Sequence, residues 1–162
     1  LGTGGGLPGI PLKILKPGIR MTLLDSIQKK VAAVRDMVDR LSITGVTTVC
    51  GRAEEVGKQA DHRQKYDLVL ARGVAPLPDL IKYARLFLKH ESGLPEGVGK
   101  GEDGRERMRL PALLAFKGGM LGEELTKAKR LGSVKSIRTV DLVFPGSEEI
   151  SLFEKKVVVV EF

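Results

Sequence analysis

Apolar and polar positions along this 162-residue chain change period several times, and each change marks an element. Arg20-Met21-Thr22-Leu23-Leu24-Asp25 predicts a short strand, with Ser26 as the N-cap of the next segment. Ile27, Val31, Val34, Val38 and Leu41 then recur at helical spacing, with Lys29, Lys30, Asp36, Asp39 and Arg40 on the other faces. That predicts an amphipathic helix packed on a sheet. β-Branched content makes Val46 to Cys50 the next strand, Gly51-Arg52-Ala53-Glu54-Glu55 a turn into a short helix, and Tyr66 to Ala71 a compact buried strand. Leu77 to Leu88 reads as a helix with Leu80, Ala84 and Leu88 in register. Pro111 to Gly119 is a buried strand with its exit turn, Glu123 to Leu131 a helix, and residues 134–144 and 152–162 two further strands split by Pro145-Gly146-Ser147.

Strands alternating with helices through short connections predict right-handed βαβ units and a parallel sheet, an α/β fold. The last two strands have no room for a crossover helix, so they must pair antiparallel. Residues 91–109 break the pattern, with five glycines, the acids Glu91, Glu96, Glu102, Asp103 and Glu106, and the bases Lys100, Arg105, Arg107 and Arg109. Such a stretch buries too little apolar area to offset its ordering entropy and is expected to be a mobile surface insertion. No repeat and no second domain is apparent, so residues 1–162 read as one domain.

Composition narrows the picture only modestly. Lys and Arg number 27 against 20 Asp and Glu, a net charge of +7 that favours a polyanionic partner without requiring one. No apolar run reaches the ~18 residues of a membrane span and no signal peptide is apparent, so a soluble compartment is expected, cytoplasm or organelle stroma. One cysteine, Cys50, and two histidines, His62 and His90, allow neither an internal disulfide nor a Cys/His zinc site. Cys50 ends a β-branched run and is expected to be a buried strand residue, whereas both histidines are expected at the surface. Aromatic residues are too few for base stacking to be a large theme.

The chemistry concentrates in the opening residues Leu1-Gly2-Thr3-Gly4-Gly5-Gly6-Leu7-Pro8-Gly9. Alternate glycines let a backbone turn tightly and approach a ligand with no Cβ in the way, and a helix start behind them supplies free N–H groups. Asp25 ends the next apolar run about twenty residues on, where an acid can accept hydrogen bonds from a ribose. The glycines formally match both G-x-G-x-x-G of dinucleotide dehydrogenases and the alternating pattern of S-adenosylmethionine-dependent methyltransferases. A terminal antiparallel pair, the absence of room for a second catalytic domain, and a second acid at Glu54 after the third strand favour the methyl donor. The strand that should lead into the glycine turn is missing, so the chain is expected to be a fragment.

These segments, together with Thr22-Leu23-Leu24-Asp25-Ser26, Arg52-Ala53-Glu54, Ala71-Arg72-Gly73-Val74-Ala75 and Ala115-Phe116-Lys117-Gly118, resemble in order the bacterial small-subunit ribosomal RNA guanine-N7 methyltransferases. This is the glucose-inhibited division protein B family. The resemblance covers the chain except the insertion, and it implies a three-layer class I methyltransferase sheet whose last strand is antiparallel. It further implies S-adenosylmethionine bound at Gly2, Gly4, Gly6, Leu7, Asp25, Ser26, Ala53, Glu54 and Arg72, with small-subunit ribosomal RNA or a ribosomal particle as partner of a monomeric, metal-free enzyme.

Guanine N7 carries a lone pair and no proton, so the implied reaction requires no general base. No catalytic constellation is found, and Arg72 and Lys117 are the positioning candidates. Arg72 is suited to the donor's carboxylate or an RNA phosphate, Lys117 is expected to face the RNA, and Lys13, Lys16, Lys29 and Lys30 are candidate phosphate contacts, although a solvated helix face is the simpler reading for most of them. Two other readings keep part of this chemistry: the same donor with a protein or small-molecule acceptor, and a donor- or RNA-binding module without catalysis.

Overall fold

The fold was described from a computed structural model covering residues 1–90, 108–142 and 155–162. The expected insertion falls outside the described residues except for Met108, Arg109 and, at its edge, Leu110, as does the turn at residues 145–147. Among the described residues eleven elements occur in order: α1 (Gly9–Leu15), β1 (Met21–Asp25), α2 (Gln28–Arg40), β2 (Val46–Cys50), α3 (Ala53–Val56), β3 (Leu68–Arg72), α4 (Leu77–Phe87), β4 (Ala112–Lys117), α5 (Gly122–Lys129), β5 (Ser136–Asp141) and β6 (Lys156–Glu161).

The described strands form two sheets. In one, β1 and β2 pair parallel, with Asp25 opposite Cys50. In the other, of order β3-β4-β6-β5, the β3–β4 pair is parallel and β6 is antiparallel to both of its neighbours. The mixed sheet and the antiparallel final strands are those expected.

Two core clusters occur, and the larger one also takes in Leu24 of β1 and Val49 of β2. Val31, Val34 and Val38, spaced three and four apart, form one face of α2, and Val34 and Val38 join Ile10 and Leu23 in the smaller cluster. Leu77, Leu80, Ile81 and Ala84 of α4 pack with Ala71, Leu113, Ala115, Val158 and Val160 of the larger sheet. Pro78 in the first turn of α4 loses no hydrogen bond there, and Asp79 suits the helix dipole.

Several expectations change. Ser26 is exposed and caps nothing: Ile27 is the N-cap of α2, and the Asp25 carboxylate accepts the Ile27 N–H at 3.0 Å instead. An aspartate two residues before an amide closes that ring more readily than a serine one residue before it. Cys50 is exposed rather than buried, because it is the last residue of β2, which pairs on one side only among the described strands. Tyr66 stands outside β3, bridging to Leu88. His62 is half-buried, its Nδ1 2.7 Å from the Tyr66 hydroxyl, which donates to Thr22 Oγ1 at 3.2 Å. His90 is exposed, as expected.

Candidate active site

The carboxyl ends of β1, β2, β3 and β4 face one edge of the molecule. Leu1 to Thr3 fixes this common direction: the Leu1 ammonium donates to Leu70 O at 2.6 Å and the Thr3 N–H to Leu24 O at 2.9 Å, each near the end of its strand. Open α/β sheets bind ligands along such an edge.

The glycine turn sits there. Gly2, Gly4 and Gly6 all have positive φ, +60°, +54° and +88°, which a side chain resists. Thr3 O accepts the N–H groups of Gly6 and Leu7 at 2.8 and 3.1 Å, closing the turn that launches α1. A Cβ at Gly2 would stand 2.5 Å from Val74 Cγ2, and one at Gly6 would overlap Ile10, whereas at Gly4 it would meet nothing within 4 Å. Packing therefore excludes a side chain at Gly2 and Gly6, and Gly4 leaves bare main chain with no protein side chain over it.

Asp25 is buried, 6% exposed, and ties that turn to β1. Its Oδ2 accepts the Gly4 N–H at 2.8 Å while Oδ1 accepts that of Ile27. A carboxylate has about four acceptor positions, so two remain for a ligand. Glu54 is exposed in the first turn of α3, four residues beyond Cys50, with Ala53 half-buried beside it. Gly4 and Asp25 touch directly; Ser26 follows Asp25 in the chain, and Ala53 and Glu54 open α3 just beyond the end of the paired strand β2.

Arg72 ends β3, exposed, and among the described residues no hydrogen bond or ion pair engages its guanidinium. Lys117 ends the neighbouring strand in a different state. Its Nζ donates to Ala75 O at 2.8 Å and to Glu124 Oε2 at 2.7 Å, and the same oxygen accepts the Leu77 N–H at 2.7 Å. This knot joins the β4 exit, the 73–76 loop and the first turn of α5, and through Val74 it reaches Gly2. Burial alone would raise the Glu124 pKa, but the bonds from Lys117 and Leu77, with the charges of Lys117 and Lys127, hold it below the usual value. Sequence reasoning missed Glu124, which carries no local signal: it meets Lys117 only across a turn.

Lys13 leaves the surface altogether. Its ammonium is buried, donating to Pro17 O at 2.5 Å and Ile19 O at 2.6 Å, so it closes the α1–β1 loop and presents nothing to a phosphate. Lys16, Lys29 and Lys30 are exposed.

The matching family model covers residues 1–95 and is described as GidB, rRNA small subunit methyltransferase G. This chain belongs to the GidB family. Ribosomal RNA small subunit methyltransferase G of Pelotomaculum thermopropionicum is 36% identical over 163 residues, 97% of this chain and 60% of the relative. The Lactobacillus delbrueckii subsp. bulgaricus protein is 37% identical over 155 residues, 93% of this chain and 56% of its own length. That of Deinococcus radiodurans reaches 49% over 89 residues, 55% of this chain and 35% of the relative. This GidB chain thus spans between 35% and 63% of the length of the curated relatives it matches.

Solved structures carry the same architecture. An O-methyltransferase from Bacillus cereus in complex with SAH matches with a TM-score of 0.59 at 13% identity, over 99% of this chain and 71% of that one. Precorrin-6y C5,15-methyltransferase from Geobacter metallireducens gives 0.57 at 18%, over 99% and 75%. The GidB chain therefore has the Rossmann-like fold of class I methyltransferases. No helix among the described residues is long and apolar enough to cross a membrane.

Proposed function

We propose that this GidB chain is the donor-binding part of an enzyme that transfers a methyl group from S-adenosylmethionine to N7 of a guanine in small-subunit ribosomal RNA. The observation that carries the reading is the front edge: a glycine turn of bare main chain, fastened by a buried carboxylate, beside an exposed Arg72 that no described residue engages.

The residues present fit the donor. At Gly4, Gly5 and Gly73 a Cβ would meet no protein atom within 4 Å, so the main chain is accessible from outside along this edge. Gly2, Gly4, Gly6 and Leu7 would cradle the donor with main chain, the free acceptor positions of Asp25 would take its ribose hydroxyls beside Ser26, and Ala53 and Glu54 would flank its adenosyl end. When bound, it supplies an electrophilic sulfonium methyl: the N7 lone pair takes the carbon and the carbon–sulfur pair stays on sulfur.

The protein's contribution is then alignment. Arg72 orients the donor's carboxylate or holds an RNA phosphate, and a guanidinium suits either as a bidentate partner. Lys117 acts through the knot with Glu124 and Ala75 as a positioning residue for the 73–76 loop. Exposed Lys16, Lys29 and Lys30 offer phosphate contacts at the surface. The chain works as a monomer, in the cytoplasm, on ribosomal RNA or a ribosomal particle.

Tritium transfer from labelled S-adenosylmethionine is the deciding measurement. Nuclease-sensitive label in small-subunit RNA, lost in Arg72→Ala under single-turnover conditions, is the expected result. Label in protein would move the acceptor to another class. Donor binding without transfer would leave a binding module.

A further inference from the structure

Met120 is 98% exposed, more than any other large apolar residue described. The turn that carries it is nevertheless well fastened. Lys117 before it and Glu124 after it are joined at 2.7 Å, Leu121 is buried in the larger core, and the Leu121 carbonyl accepts the Leu125 N–H at 2.9 Å. Between these anchors Gly119 takes a φ of +76°, and the next side chain is left wholly in water. A fixed turn that forgoes the burial of a whole methionine offers it to something else.

The turn stands on the front edge. Arg72, at the end of β3, lies opposite Phe116, and Lys117 lies opposite Lys156, so the exit of β4 and the start of β6 share the edge with the unengaged guanidinium. Beside Met120 is a cavity of about 210 Å³ between the turn and strands β5 and β6. Leu121 and Leu125 give it apolar walls, Thr139 and Lys156 polar ones, and at Gly119 and Gly122 a Cβ would meet no atom within 4 Å. The Lys156 ammonium is 3.3 Å from Asp141 Oδ1, and with three donors it keeps capacity for a second anion.

Size and charge define what fits. The volume is below the ~300 Å³ at which sites begin to enclose a whole drug-sized ligand, so it suits a single flat ring system. A bare apolar side chain next to a lysine matches an unpaired nucleotide, whose base stacks while its phosphate meets a cation. With only two Tyr and five Phe in the chain, a polarizable thioether takes the place that an aromatic ring would otherwise fill. An apolar peptide would cover Met120 yet leave Arg72 and Lys156 without an anion. Leu1 bonds to β3, and β4 and β6 lie one and two strands further on, so at about 4.8 Å per strand the cavity is roughly 10–15 Å from the glycine turn. Reacting atoms must approach to about 3–3.5 Å, so the base held here is a neighbour of the one that receives the methyl group.

We propose that Met120 is a platform on which an unpaired RNA base flanking the target guanine stacks, with the base edge entering the cavity and a phosphate meeting Lys156. The inference rests on RNA being the substrate and adds where the strand lies once the guanine is in place. Its consequence is selectivity. Contacts to a flanking nucleotide set which sequence context is accepted, and stacking alone tolerates any base, so Met120 selects for an unstacked neighbour rather than for its identity.

The test compares the parent with Met120→Ala and Met120→Phe, changes at a fully exposed position that leave the core alone. The probes are a short single-stranded RNA with one guanine among adenines and the same strand with abasic sites in place of the adenines. Met120→Ala is expected to bind the intact strand at least about fivefold more weakly, while Met120→Phe binds it at least as tightly as the parent. On the abasic strand the parent and Met120→Ala should bind alike, and affinity for S-adenosylhomocysteine should stay within about twofold in both variants. Equal affinity of the parent and Met120→Ala for the intact strand would overturn the proposal. So would a loss that persists on the abasic strand, or an equal loss of S-adenosylhomocysteine affinity, which would make the residue structural. Tritium transfer to RNA by the parent tests the methyl-transfer reading separately. Transfer that Met120→Ala leaves undiminished, with undiminished RNA affinity, defeats this inference alone; RNA binding that depends on Met120 without transfer defeats that reading alone.

Discussion

Asp25 does two things with one carboxylate: it holds the glycine turn through Gly4 and starts α2 through Ile27. Removing it leaves two amides without their acceptor, so Asp25→Ala should lose about 2–4 kcal/mol in urea unfolding and Asp25→Asn less. Donor affinity, measured by calorimetry on whichever variant stays folded, should fall at least tenfold; an unchanged affinity removes the ribose role. At this scale the acid at the strand end was legible from spacing alone. That Asp25 rather than Ser26 would bond at the start of α2, through the Ile27 N–H, was not, because it depends on how the chain turns between β1 and α2. Lys13 was unreadable for a related reason: its ammonium is satisfied by two loop carbonyls whose positions depend on how the loop closes.

Strands and helices came through well wherever local period sets them. The valines of α2 and the β-branched run of β2 appear with bounds within a residue or two of expectation. What joins elements is less visible. Glu124 on α5 binds Lys117 from β4 and Leu77 at the start of α4, and nothing in the spacing of those residues announces it. Glu124→Ala should cost about 1.5–3 kcal/mol, the range for hydrogen bonds to charged groups, with Glu124→Gln milder because its amide oxygen still accepts the Leu77 N–H. The folded pKa of Glu124 is depressed, so its contribution is present above the usual carboxylate value and lost as pH falls through the folded one. Acid unfolding of Glu124→Gln should accordingly show a shallower slope than the parent below about pH 4.5. Identical slopes would show that the ion pair adds nothing.

For the molecule as a whole, the net charge is +7, and Lys16, Lys29, Lys30 and Arg72 are exposed, with Arg72 at the strand ends that carry the candidate site. Binding to small-subunit RNA should weaken with salt, the logarithm of affinity falling at about −0.7 per single-strand phosphate contact, so two or more contacts give a slope steeper than about −1.4. A flat plot would contradict a phosphate-tracking surface. The amino-acid sequence by itself determined which segments become helix or strand, that the early strands run parallel and the last pair does not, and that a glycine turn and an acid lie together at one end. Those features rest on periodicity, turn chemistry and connection length, all local along the chain. Only the tertiary structure decided that Cys50 is exposed, that Lys13 is buried and that Lys117 is shared with Glu124. Each of these depends on groups far apart in sequence meeting, or failing to meet, at hydrogen-bonding distance.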